Sequence, residues 1–91
     1  MQNDKPRLLE AEFTGIGEVK GYKFKRIKSN KLVYLYQVDG RHYEVFRRLV
    51  NSYYNTETYP SSKQFGRAAW TYATEEAALK KFKEVTKKYS K

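Results

Sequence analysis

Apolar and polar positions alternate from about residue 20 to residue 47, then switch to a helical period after residue 74. Lys20, Tyr22, Phe24 and Arg26 step against Gly21, Lys23 and Lys25, which predicts a strand with one apolar and one basic face. Ser29-Asn30-Lys31 is a turn. Leu32 to Val38 is apolar on both faces and rich in strand formers, as a central strand should be. Asp39-Gly40 then stands between two such runs, the strongest short hairpin signal in the chain. The return strand is expected from Arg41 to roughly Val50, with Tyr43 and Val45 on one face and His42, Glu44 and Phe46 on the other.

The flanking segments complete the pattern. Residues 1–9 are polar and contain Pro6, so they read as a flexible N-terminal arm. Glu10 to Phe13 is a candidate edge strand, broken by Gly15-Ile16-Gly17. From Asn51 to Gln64 the period is lost among Asn, Ser, Thr, Tyr and Pro, and a loop this long is expected to be functional or mobile. Ala68, Trp70 and Tyr72 alternate as a short strand would, with a helical turn around Ser62 to Arg67 as the competing assignment. Thr74 is a good N-cap, and Glu75 and Glu76 sit in the first turn, where the helix dipole favours anions. Ala78, Phe82, Val85 and Tyr89 then form one helical stripe, with Lys80, Lys81, Lys83, Lys87 and Lys88 on the remaining surface. The predicted fold is α+β: an antiparallel three- to four-stranded β-meander packed by one C-terminal α-helix, with residues 10–91 as a single domain.

Charge adds a bias towards one class of partner. Nineteen Lys and Arg against ten acids leave the chain at +9. Residues 1–18 carry Lys5 and Arg7 against Asp4, Glu10, Glu12 and Glu18, a net of −2, so residues 19–91 carry +11. So much like charge on so small a domain is easiest to understand if its surface meets a polyanion. Cysteine is absent, which removes disulfides, thiolate metal sites and a Cys nucleophile, and favours a reducing setting. The N-terminus lacks the apolar core of a signal peptide, and the longest apolar run, Leu32 to Tyr36, is too short to span a bilayer. A cytoplasmic protein without membrane contact is expected, with a phage or mobile element as a source it would suit.

The basic strand is the first candidate site. Lys20, Lys23, Lys25, Arg26 and Lys28 lie close together with Tyr22 and Phe24 interleaved, a density able to neutralise several phosphates. A two-stranded ribbon fits the major groove, whereas exposed rings would stack on single-stranded bases. The competing role for these lysines is protection of a sheet edge. Arg41, Arg47 and Arg48 are the second group, whose guanidinium forks suit phosphate or guanine, or alternatively cross-strand pairing with Glu44 or Glu18. The lysine face of the helix reads chiefly as solvated. Tyr53, Tyr54 and Tyr59, set among small polar residues, are candidate protein-partner contacts, or else cover the sheet edge. His42 and Glu44 share a strand face, but no third group completes an acid–base site, so no catalytic residue is expected. Neither Gly15-Ile16-Gly17 nor Phe65-Gly66-Arg67 matches a phosphate or dinucleotide loop, so no cofactor and no metal is expected.

The meander-then-helix layout, with Trp70-Thr71-Tyr72-Ala73-Thr74-Glu75-Glu76-Ala77-Ala78 at the strand-to-helix junction, resembles the DNA-binding domains of plant ethylene-response factors and some phage integrase arms. That resemblance implies a sheet laid into the major groove. Tyr43-Glu44-Val45-Phe46 and Phe65-Gly66-Arg67 are similar to pieces of the WGR domains of DNA-repair proteins, with Phe65 in place of the signature Trp. Both likenesses cover short segments, and no family is assigned. The expected function is a small basic nucleic-acid-binding accessory protein, DNA or RNA; the alternative is a protein-interaction module that uses the 51–64 loop.

Overall fold

A computed structural model describes residues 7–51 and 53–90. The strands are β1 (Glu12–Thr14), β2 (Lys23–Ser29), β3 (Val33–Val38), β4 (His42–Arg47), β5 (Val50–Asn51), β6 (Thr56–Glu57) and β7 (Ala69–Tyr72), and the helix is α1 (Glu75–Tyr89). The sheet forms around the predicted hairpin. Asp39 and Gly40 both take left-handed backbone, with φ of 54° and 65°. That combination matches the right-handed twist of paired strands, and only Gly adopts it freely. β3 and β4 pair from Val38↔His42 to Val33↔Arg47.

β2 adds to the other side of β3, β1 to β2, and β7 to β4, giving an antiparallel five-stranded sheet of order β1-β2-β3-β4-β7. The α+β meander packed by a C-terminal helix is therefore present, with one strand more than expected, because both short candidate segments pair. β5 and β6 form a separate small hairpin within the segment that showed no period. Their ladder is two residues long, with Val50 its one apolar residue, too short to leave a periodic signal.

Each face of the sheet is covered by different material. On one side Val33, Leu35 and Val45 pack against Ala78, Phe82 and Val85, the stripe expected of α1. Thr74 caps this helix, its Oγ1 accepting the Ala77 N–H at 3.2 Å. On the other side Phe24, Tyr34, Tyr36, Val38, Phe46 and Ala69 form a second core beneath Leu9, Phe13, Tyr59 and Phe65. β3 feeds both cores, which is why it reads as apolar on both faces.

The cover on the second face comes from the two segments expected to be loose. Arg7 bridges Thr56, and the Leu9 N–H bonds Glu57, so residues 7–9 of the expected arm are docked against β6. Residues 1–6 lie outside the described residues. No helix among the described residues is long and apolar enough to cross a membrane.

Candidate nucleic-acid interface

Simple alternation would place Lys28 on the same face as Phe24 and Arg26. The ladder says otherwise. Arg26 opposes Tyr36 but Lys28 opposes Leu35, so Ile27 is an extra residue and β2 carries a bulge. From that point the faces exchange. Lys23 and Lys25, alternating with buried Phe24, point to the α1 side, and Lys28 joins them there, its Nζ 5.6 Å from the Phe82 ring centroid. Phe24 anchors this geometry by stacking on Phe13 at 4.7 Å.

Helix α1 packs chiefly over β3, β4 and β7 and reaches β2 at Ile27 and Lys28. Between α1 and β2 runs an open groove of about 440 Å³, lined by Lys28 and Asn30 on one wall and Phe82, Lys83, Thr86, Lys87 and Ser90 on the other. None of these residues is acidic. Asn30 ties the two walls together: its Nδ2 donates to Thr86 Oγ1 at 2.8 Å, while its Oδ1 accepts the N–H groups of Leu32 and Val33. Lys23 and Lys25 extend the cationic track along β2 into a smaller depression shared with Glu12, Gln37 and Asp39. The nearby Glu12 and Asp39 temper the charge at that end. Lys28, Lys83 and Lys87 therefore form the more strongly cationic locus.

The other expected phosphate contacts are distributed differently. Arg26 lies on the opposite face of the sheet, its Nη2 donating to the Leu9 carbonyl at 2.6 Å and its guanidinium carbon 5.0 Å from the Tyr34 ring centroid. Arg48 is on that face too, donating to Glu57 Oε2 and to the Asn30 carbonyl, each at 2.7 Å. Both arginines are engaged internally. Arg47 lies 3.8 Å over the Tyr89 ring at the end of α1. Arg41 is exposed in the β3–β4 turn, and Lys20 is exposed after a 3₁₀ turn (Gly17–Val19). Of the interleaved aromatics, Phe24 is core and is not available for stacking, while Tyr22 is exposed.

Around Arg26 and Arg48 lies a polar cluster that the strand pattern did not foretell. Glu57 is 4% exposed and accepts from the Tyr34 hydroxyl, the Leu9 N–H and Arg48. Burial alone would raise its pKa, but these hydrogen bonds and the Arg48 charge outweigh burial and hold it below the usual carboxylate value. Burial and the bond to Glu57 push the Tyr34 hydroxyl up to about 12. Glu44 is likewise buried; it accepts from the Tyr59 hydroxyl and lies 3.4 Å from His42 Nε2. Burial and that bond raise the Tyr59 pKa. Tyr59 thus seals the second core, whereas Tyr53 and Tyr54 are exposed on the β5–β6 hairpin.

Lys83 and Lys87 are the groove residues that sequence reasoning left among the solvated helix lysines. Their spacing of four places them on one helix edge, but which edge faces β2 depends on how α1 packs. The sheet face away from α1, the one free to enter a major groove in an ethylene-response-factor-like arrangement, is closed here by the docked arm and by Tyr59 and Phe65. No family model, no curated protein and no solved structure matches the chain.

Proposed function

We propose that the chain is a small nucleic-acid-binding accessory protein of the cytoplasm that holds phosphates in the groove between β2 and α1. Lys28, Lys83 and Lys87 would make the direct contacts, Lys23 and Lys25 would extend the track, and Arg41 would add long-range attraction. The convergence of lysines from two elements on one open groove with no acidic lining is the observation that carries this reading. On this reading it is a binding protein and not an enzyme, and it needs no cofactor.

Contacts of this kind release counterions, so affinity should fall steeply with salt. The test is a titration of labelled single- and double-stranded DNA and RNA at low and near-physiological salt. Replacing Lys28, Lys83 and Lys87 with Gln should weaken binding and lower the salt slope by about one per lysine. Absence of binding at low salt would overturn the reading.

A second reading is supported by the exposure of Tyr53 and Tyr54, at 85% and 72%. As a protein-interaction module, the chain would use these rings as contacts and its charge for docking on an acidic partner. Tyr53→Ala with Tyr54→Ala would then abolish the complex, while lysine changes would slow association.

A further inference from the structure

The β5–β6 hairpin presents two aromatic rings that the core does not use. Tyr53 and Tyr54 pack edge-to-face on each other, with centroids 4.7 Å apart and planes at 86°. Perpendicular rings leave at least one open π-face each. The backbone beneath them is fastened: Asn51 Oδ1 accepts the N–H groups of Tyr53 at 2.9 Å and Tyr54 at 3.2 Å, and Thr56 Oγ1 donates to the Tyr54 carbonyl at 3.1 Å. These bonds fix the backbone of Tyr53 and Tyr54 against Asn51 and Thr56, which lowers the entropy cost of binding.

The hairpin is also tied to the groove. Arg48 bonds Glu57 at its root and the Asn30 carbonyl at the groove wall, and Asn30 bonds Thr86 on the opposite wall. Tyr54 is three residues from Glu57, a span of at most about 10 Å. Arg48 thus links the hairpin, which covers the face of the sheet away from α1, to the edge of the groove on the α1 face.

We infer that Tyr53 and Tyr54 are a stacking platform for unpaired bases, so that the nucleic acid this protein prefers is single-stranded. The inference rests on the phosphate-binding reading of the groove and adds to it the form of the ligand. A duplex hides its base faces, whereas every unpaired base offers one. The net charge of +9 favours a polyanion over a neutral protein surface here, and two rings are ample for one or two bases. Because stacking tolerates any base, weak sequence preference is expected.

The test uses the full chain and oligonucleotides of about 20 nucleotides, longer than the ~4–16 that a small single-strand-binding fold occupies. Oligo-dT, oligo-U and a mixed-sequence duplex separate DNA, RNA and paired ligands. The wild type is expected to bind a single strand more tightly than the duplex. Tyr53→Ala with Tyr54→Ala should lower single-strand affinity roughly ten-fold or more, leaving duplex affinity and the salt slope unchanged. Tyr53→Phe with Tyr54→Phe should keep the affinity, because the ring faces do the binding. Equal loss on single strand and duplex, or no loss on the single strand, would overturn the stacking platform and leave the groove reading standing. Failure of the wild type to bind any oligonucleotide at low salt would overturn both.

Discussion

Glu57 shows what a single buried carboxylate does for this chain. It joins three otherwise separate pieces, accepting from Tyr34 on β3, the Leu9 N–H of the arm and Arg48 beyond β4. Glu57→Gln would leave Arg48 half-buried without its counter-charge, and the loss of a partner from such a pair should cost about 3 kcal/mol in a denaturant titration. The pH dependence follows from the direction of its pKa. The folded value lies below the unfolded one, so the stabilisation is full above the ordinary carboxylate range. It declines as pH falls through that range to the folded value. The variant should therefore show a flatter acid limb than the wild type. Nothing local marked Glu57 for this role, because it lies in a segment without period and its partners come from distant parts of the chain.

At the level of elements, a glycine and a helix cap carry distinct tests. A Cβ on Gly15 would lie 2.3 Å from the Val19 carbonyl oxygen and 3.0 Å from the Phe24 ring. The first contact is with backbone, which cannot swing aside, so Gly15→Ala should destabilise the fold by about 1–3 kcal/mol through overpacking. The sequence marks Gly15 as a strand breaker; its close approach to the 3₁₀ turn exists only after folding. Thr74→Ala removes the bond to the Ala77 N–H and should cost about 1 kcal/mol, read from thermal or chemical melts. This second effect was legible, since a cap followed by acids and an apolar stripe needs no tertiary information.

For the whole molecule, position on the surface should matter more than net charge. Lys28→Gln, Lys83→Gln and Lys87→Gln remove three charges from the groove, and a matched triple at Lys80, Lys81 and Lys88 removes three from elsewhere on α1. Lys81 is spent on the Trp70 ring and on Glu84, and Lys88 lies over Tyr89. Binding isotherms for the groove triple should show markedly lower affinity at fixed salt, and the control triple should stay near the wild type. Equal losses would mean a diffuse electrostatic effect without a defined site. The same scale explains why the track is one-sided: arginines of β2 and the β4 exit hold the arm and the β5–β6 hairpin, leaving lysines for solvent.

Local rules were enough to define the α+β class, the Asp39-Gly40 turn, the doubly apolar β3 and the α1 stripe. Each depends on period or turn chemistry within a few residues. The basic bias was likewise present in the composition. Tertiary structure alone decided where that charge could act. The Ile27 bulge moved Lys28 across the sheet, and helix packing chose which lysines of α1 faced it. The docking of residues 7–9 and 56–65 drew Arg26 and Arg48 inwards. A bulge changes a face by one residue without a distinctive sequence mark, and a buried ion pair depends on contacts far apart along the chain. Such features become readable only once the chain has closed on itself.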